Sequence, residues 1–229
     1  MNFKTSIAVL GFALATLATT SASAATVTVG QNNGGNCYPF SCMAGDDTLH
    51  YQQIYAASSF YGATSSGTKS LDIDKISFLR DIGGNMTPST YSVSFWLTSN
   101  TVNGMSSSAS ANEGTLLSNF GTWTLGGAMP GTLTLDGTDF IYNPTQGNLV
   151  MDVQVTSGNA PGGYFSFFEA DYTGASTLRA FGNGDNLSVE TGALVTQFTA
   201  TPVPETGSMA LMLAGLGLVG VVARRRRAA

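Results

Sequence analysis

Tyr91-Ser92-Val93-Ser94-Phe95-Trp96-Leu97-Thr98 alternates between two chemistries at every step. Tyr91, Val93, Phe95 and Leu97 form one face, and Ser92, Ser94, Trp96 and Thr98 form the other. Successive side chains of a strand point to opposite sides of its sheet, so this period of two predicts a half-buried β-strand. The same period recurs on both sides of the stretch. Residues 26–29 open a first strand, and Ile76 and Phe78 alternate within 75–79. Residues 122–125 and 132–135 repeat the pattern, and Leu149, Met151, Val153 and Val155 set an apolar face against Asp152 and Gln154. Residues 164–168 are apolar on both sides, as in a central strand, and 187–189 and 193–199 complete the set. Turn signals separate these runs: Gly83-Gly84-Asn85, Gly126-Gly127, Asp136-Gly137, Asn143-Pro144, Gly162-Gly163 and Asn183-Gly184-Asp185. Many short strands with such punctuation predict an all-β fold, a β-sandwich or jelly-roll-like body. One short helix is expected around residues 52–59, and 101–114 reads as a Ser/Asn-rich loop or long hairpin.

Composition narrows the class. Charged residues make up only 10% of the 229, and glycine is abundant at 28. Low charge with many β-branched and aromatic residues fits a secreted β domain and not a disordered chain. The net charge of −5 hides an asymmetry. All fourteen acidic residues fall within 46–205, against only Lys69, Lys75, Arg80 and Arg179, so residues 25–205 carry −10. An acidic body without a basic patch excludes nucleic acid as a partner, because phosphate contacts dominate that affinity. It equally disfavours adhesion to anionic membrane surfaces.

The two ends read as handling signals. Lys4, an apolar stretch over residues 7–17, and Ser21-Ala22-Ser23-Ala24 before a cut at Ala25 predict a signal peptide over residues 1–24. At the other end, Val203-Pro204-Glu205-Thr206-Gly207 precedes an apolar run over 209–223 and then Arg224, Arg225, Arg226 and Arg227. As a helix the run reaches about 22 Å, short of the roughly 30 Å of a hydrocarbon core. Gly215, Gly217 and Gly220 weaken it further as an independent helix. A marginal span of this kind fits a temporary anchor; a permanent single-pass anchor is the alternative. The arginines stop transfer and keep the C-terminus on the cytoplasmic side. The expected organisation is a signal peptide (1–24), a β-sandwich body (25–200), a linker with the sorting motif (201–208), a transmembrane helix (209–223) and a basic cytoplasmic tail (224–229).

The tail resembles a PEP-CTERM sorting domain, whose members read Val-Pro-Glu-Pro, then a Gly-rich apolar helix, then arginines. Val203-Pro204-Glu205, Ala210-Leu211-Met212-Leu213-Ala214-Gly215-Leu216-Gly217-Leu218-Val219-Gly220 and the arginine run carry the resemblance. Thr206 stands where the second proline is expected, so Val-Pro-Glu-Thr-Gly also resembles the Leu-Pro-x-Thr-Gly signal of sortases. The wording of the apolar run favours the PEP-CTERM reading. Residues 51–60 and 142–153 are similar to segments of many PEP-CTERM protein bodies, which implies a shared β-rich body and no particular activity. The resemblance implies an exosortase-type membrane enzyme as partner and a transient stop in the inner membrane. It further implies delivery to the cell surface or outside, and association with exopolysaccharide and biofilm.

Candidate sites within the body are few. Cys37 and Cys42, an even and close pair in an exported chain, are expected to form a disulfide. A metal site joining both cysteines to His50 and Asp46 or Asp47 is the alternative, and its spacing fits no common zinc pattern. His50 is the only histidine and has no nucleophile motif beside it, so it reads as a surface or packed residue. Asp72 with Asp74, and Glu169 with Asp171, are carboxylate pairs on shared strand faces, read as solvated or salt-bridged. Asp46-Asp47, Asn183 with Asp185, and Asp136 with Asp139 offer calcium-type oxygen donors in loops, yet none matches an EF-hand and turns use the same residues. No cofactor is expected beyond a structural calcium at such loops. Trp123 shares parity with Leu125 and reads as core. Trp96 lies on the polar-parity face, where it either stacks on a sugar ring or packs beneath a loop or second sheet. The sequence thus reads as a non-enzymatic, exported structural protein. A surface carbohydrate-binding module is the first alternative, and a glycan-acting hydrolase the second.

Overall fold

The computed structural model describes residues 23–42, 49–64, 70–158, 167–203 and 215–216. Outside these lie the signal peptide except its last two residues, Asp46 and Asp47, residues 164–166 of the expected central strand, Pro204, Glu205, Thr206, the apolar run apart from Gly215 and Leu216, and the four arginines. Among the described residues no helix is long and apolar enough to cross a membrane.

Alternating sequence becomes alternating burial. The strands are β1 (Ala25–Val29), β2 (Gly34–Asn36), β3 (Leu49–Tyr55), β4 (Ser70–Ile82), β5 (Asn85–Thr98), β6 (Thr115–Ala128), β7 (Thr132–Tyr142), β8 (Asn148–Gly158), β9 (Phe167–Asp171), β10 (Thr177–Asn183), β11 (Asn186–Glu190), β12 (Ala193–Leu194) and β13 (Thr196–Val203). One sheet has the order β11-β10-β3-β8-β5-β6. The other runs β1-β13-β4-β9-β12, with β7 also paired to β4 and β2 to β9. The strand pairs among the described residues are antiparallel.

The core lies between the two sheets and is rich in aromatic rings. Tyr55 of β3 meets Phe198 of β13 edge-on at 5.0 Å between centroids. Phe95 of β5 stacks on Phe140 of β7 at 4.7 Å. Phe40, in the loop closed by the disulfide, meets Phe78, Tyr91 and Phe168 within 5.9 Å. Such offset and edge contacts each add about 0.5–1.5 kcal/mol beyond their buried area. Tyr91, Val93 and Phe95 of the opening stretch are all buried in this core, with Leu97 packed against it.

Three expectations are corrected. The helix expected around residues 52–59 is instead the end of β3, followed by a 3-10 helix at Ala57–Ala63. Every residue of β3 is buried, so no polar face survives to reveal a period of two. The region 101–114 is neither a plain loop nor a hairpin. It forms a 3-10 turn at Val102–Gly104 and one helical turn at Ala109–Asn112, and it crosses the outer face of the six-stranded sheet. The body does not end at residue 200: β13 continues to Val203, which pairs with Ser70.

Candidate functional site

The outer face of the six-stranded sheet is built in rows. Opposite residues of β10, β3, β8 and β5 give Leu178, Ile54, Val150 and Trp96 in one row, then Ala180, Gln52, Asp152 and Ser94 in the next. A third row is Gly182, His50, Gln154 and Ser92. The first row is apolar, and Val102, Met105 and Ala109 of the crossing segment cover it as a second hydrophobic cluster. The other two rows are polar, and the end of the crossing segment brings Asn112 and Glu113 over them.

The crossing segment is pinned at three places. Ala109 N–H donates to the Asp185 carbonyl at 3.0 Å, and Leu187 N–H donates to the Ser107 carbonyl at 2.8 Å. The Asp185 carboxylate accepts from Ser110 N–H at 2.7 Å and from Ser108 Oγ at 2.8 Å. These bonds hold its carboxyl below the usual aspartate range. Gly114 ends the segment where a Cβ would collide with the Leu97 carbonyl.

Beneath this cover, His50, Asp152, Gln52, Asn112 and Glu113 form one network. Asp152 is 2% exposed and His50 7%. His50 Nδ1 lies 2.7 Å from the Gly184 carbonyl oxygen, which can only accept, so Nδ1 carries a proton. Gly184 takes φ +57° at the first of the two turn positions between β10 and β11, where the favoured hairpin turns place glycine. His50 Nε2 faces Asp152 Oδ2 in a short contact. Burial works to lower the His50 pKa. The Asp152 hydrogen bond and charge, with the Gly184 carbonyl, outweigh it and hold the ring above its usual range. Gln52 Nε2 donates to Asp152 Oδ2 at 2.7 Å, to Glu113 Oε1 at 3.3 Å and to the Ala109 carbonyl at 3.2 Å. Asn112 Nδ2 donates to Gln52 Oε1 at 2.9 Å and fixes the amide. Glu113 is pushed above its usual range by desolvation and then by the Asp152 charge.

A cleft of about 330 Å³ opens beside these groups, lined among others by His50, Ser110, Glu113, Gln154 and Asp185. The nearest ligand atoms of His50, Glu113 and Asp152 all lie within 4.8 Å of one another. Both ring nitrogens face oxygen acceptors, so His50 activates no nucleophile among the described residues. The arrangement can hold a proton or a cation between imidazole and carboxylates.

The residues singled out by sequence scatter around this site. Asp152 was expected on a polar strand face and has that parity, but the crossing segment buries it. His50 is a packed residue. The alternative metal site joining it to the cysteines is overturned, because Cys37 and Cys42 are disulfide-bonded, with Cα atoms 5.1 Å apart. Trp96 is half-buried against the second cluster, its indole N–H donating to Ser94 Oγ at 2.9 Å, so it packs beneath the crossing segment. Trp123 packs on the main core against Phe120. Asp136 is bound by Lys75 at 2.7 Å. Asp171 is not solvated: it is buried and accepts from Gln31 N–H at 3.0 Å and Thr173 N–H at 2.7 Å. Asn183 ends β10, and Asp185 is the second residue of the hairpin turn that follows. Glu113 and Asn112 were missed. Nothing in the Ser/Asn-rich segment 101–114 marks which polar residues fold inward.

A family model for the PEP-CTERM protein-sorting motif matches residues 200–227. The chain is a PEP-CTERM domain-containing protein. This decides between the two readings of Thr206 in favour of the exosortase signal. The PEP-CTERM motif implies processing by exosortase, a membrane enzyme, and a secreted protein anchored transiently at its C-terminus. Val203, which opens the short Val-Pro-Glu-Thr signal within the motif, is the last residue of β13. Comparisons with curated proteins and with solved structures return no match for the chain.

Proposed function

We propose that this PEP-CTERM protein is a non-enzymatic structural component of the extracellular matrix, associated with exopolysaccharide or biofilm. In this reading residues 1–24 direct export as a signal peptide. The apolar run 209–223 halts in the inner membrane with Arg224 to Arg227 on the cytoplasmic side. Exosortase then recognises Val203, Pro204, Glu205 and Thr206 and cleaves close by. In the same reading the body is a sandwich of jelly-roll type, released outside with its disulfide formed. The sorting motif at residues 200–227 carries this proposal. The acidic body supports a secreted role away from anionic surfaces. No residue is catalytic in this reading; His50 donates to Gly184 and faces Asp152, and Trp96, the candidate for sugar stacking, is engaged in packing.

Intact-mass analysis of the exported protein from strains with and without the exosortase gene tests the reading. The expected mature form begins at Ala25 and ends near Glu205 only where the enzyme is present. A form still ending at Ala229 in both strains refutes the sorting route. A matrix role is then read by biofilm mass after deletion of the chain, and an unchanged matrix overturns it.

A further inference from the structure

We propose that His50, Asp152 and Glu113 form a binding site for one zinc ion at the head of the cleft, with water completing the coordination. The site is independent of the sorting tail and of the matrix role. Its first support is the donor set. One imidazole nitrogen and two carboxylates, drawn from β3, β8 and the crossing segment, present ligand atoms within 4.8 Å of one another. Donors around zinc, bonded at about 2.0–2.2 Å, stand roughly 3.5 Å apart in a tetrahedral shell. To admit the ion, the Asp152 carboxylate must rotate away from Nε2.

The second support is the tautomer. The Gly184 carbonyl fixes the proton on Nδ1, which leaves Nε2 as the atom turned toward the carboxylates. A ligating histidine is characteristically held in this way, its other ring N–H donated to a backbone carbonyl or carboxylate. The carboxylates have outer supports of the same kind. Gln52 donates to both, and Asn112 fixes Gln52; Gln154 Nε2 donates to Asp152 Oδ1 at 3.3 Å.

The third support is charge. Asp152, Glu113 and Asp185 gather around a single imidazole. No lysine or arginine is ion-paired with any of the three among the described residues. Ligation through Nε2 leaves the imidazole neutral, so the zinc ion replaces its proton and offsets two of the three carboxylate charges. The nitrogen donor and the small donor count select zinc over calcium, which takes six to eight oxygens. The cleft beside His50 and Glu113 gives the ion its path in from solvent.

The test uses the full chain, free of any polyhistidine tag and stripped with EDTA. The chain has one histidine, so its imidazole resonances report His50 alone. Zinc is titrated calorimetrically and, in parallel, the ring nitrogens are followed by NMR. One zinc per chain is expected, with the Nε2 resonance moving and Nδ1 still protonated. Glu113 lies at the half-buried rim, so E113Q keeps the fold and lowers zinc affinity by at least about 10-fold. A ring unmoved by excess zinc, equal zinc affinity in E113Q, or calcium displacing zinc at equal concentration each overturns the proposal. H50Q serves as a second variant, and zinc binding unchanged in it has the same consequence.

Discussion

Asn112 shows what one buried amide does here. It is fully buried. Its Nδ2 donates to Gln52 Oε1 and to the Ser106 carbonyl, both at 2.9 Å, and its Oδ1 accepts from Ser106 N–H at 2.7 Å. Asn112→Ala removes all of these bonds and leaves the buried Gln52 Oε1 without its donor. Orphaning a buried polar group costs about 1–3 kcal/mol, so urea denaturation of this variant should show a loss in that range. A loss indistinguishable from zero means that water enters and replaces the amide, and the network is then looser than its geometry implies. Such residues are hard to read in sequence because parity and burial are separate quantities. The alternation around residue 152 places Asp152 correctly opposite Val153. It cannot say that a segment forty residues upstream in the chain lies over that face. Core residues were legible for the opposite reason. Tyr91, Val93, Phe95, Leu149, Met151 and Val153 are apolar at period two, and that alone sends them to the interface between sheets.

Among elements, the crossing segment holds to the sheet in part through a titrating group. Asp185 binds Ser110 N–H and Ser108 Oγ, and these bonds lower its pKa from the ordinary 3.8. A group with a depressed folded pKa contributes stability above its unfolded pKa and loses it as pH falls through the folded value. The anchor is therefore intact at neutral pH and weakens in acid below the ordinary aspartate range. His50 and Glu113 face the same turn, and their charges interact with Asp185. Asp185→Asn separates its share, since it keeps an acceptor oxygen and removes the titration. Amide exchange at Ser110, corrected for its intrinsic pH dependence, should lose protection in acid in the parent and show a flatter profile in the variant. Identical profiles would assign the acid response to the other carboxylates. The element scale also shows where strand reading ends. One-sided strands such as β5 and β7 carry their period openly. In β3, Leu49, Tyr51, Gln53 and Tyr55 point inward, while His50, Gln52 and Ile54 lie under the crossing segment. With both faces covered, polar residues are buried by specific partners and the hydrophobic period vanishes, which is why a helix was expected there.

At the scale of the whole molecule, the last strand of the body runs into the sorting signal. Val203 is at once the first residue of the short Val-Pro-Glu-Thr signal and the last paired residue of β13, opposite Ser70 on β4. Residues 25–205 carry −10, while the four arginines lie beyond the apolar run, so cleavage near Glu205 separates an acidic body from a basic remnant. The strand hydrogen bonds hold Val203 in an extended ladder, so an enzyme that recognises this residue acts at a paired strand end. Access to the motif is then limited by how easily the end of β13 peels from β4. Strand termini open locally at far lower free energy than the core, so the limit is a rate and not a block. A flexible Gly/Ser insertion of about ten residues between Pro202 and Val203 keeps the Val203-to-Thr206 signal whole, adds a root-mean-square reach of roughly 16–19 Å and lets the enzyme bind without opening the strand. Pulse-chase labelling in a host with exosortase should show faster conversion to the short form for the insertion variant than for the parent. A stabilising change at the end of the β13–β4 ladder should slow it. Conversion at the same rate in all three chains would mean that the membrane step, and not the folded edge, sets the pace of release.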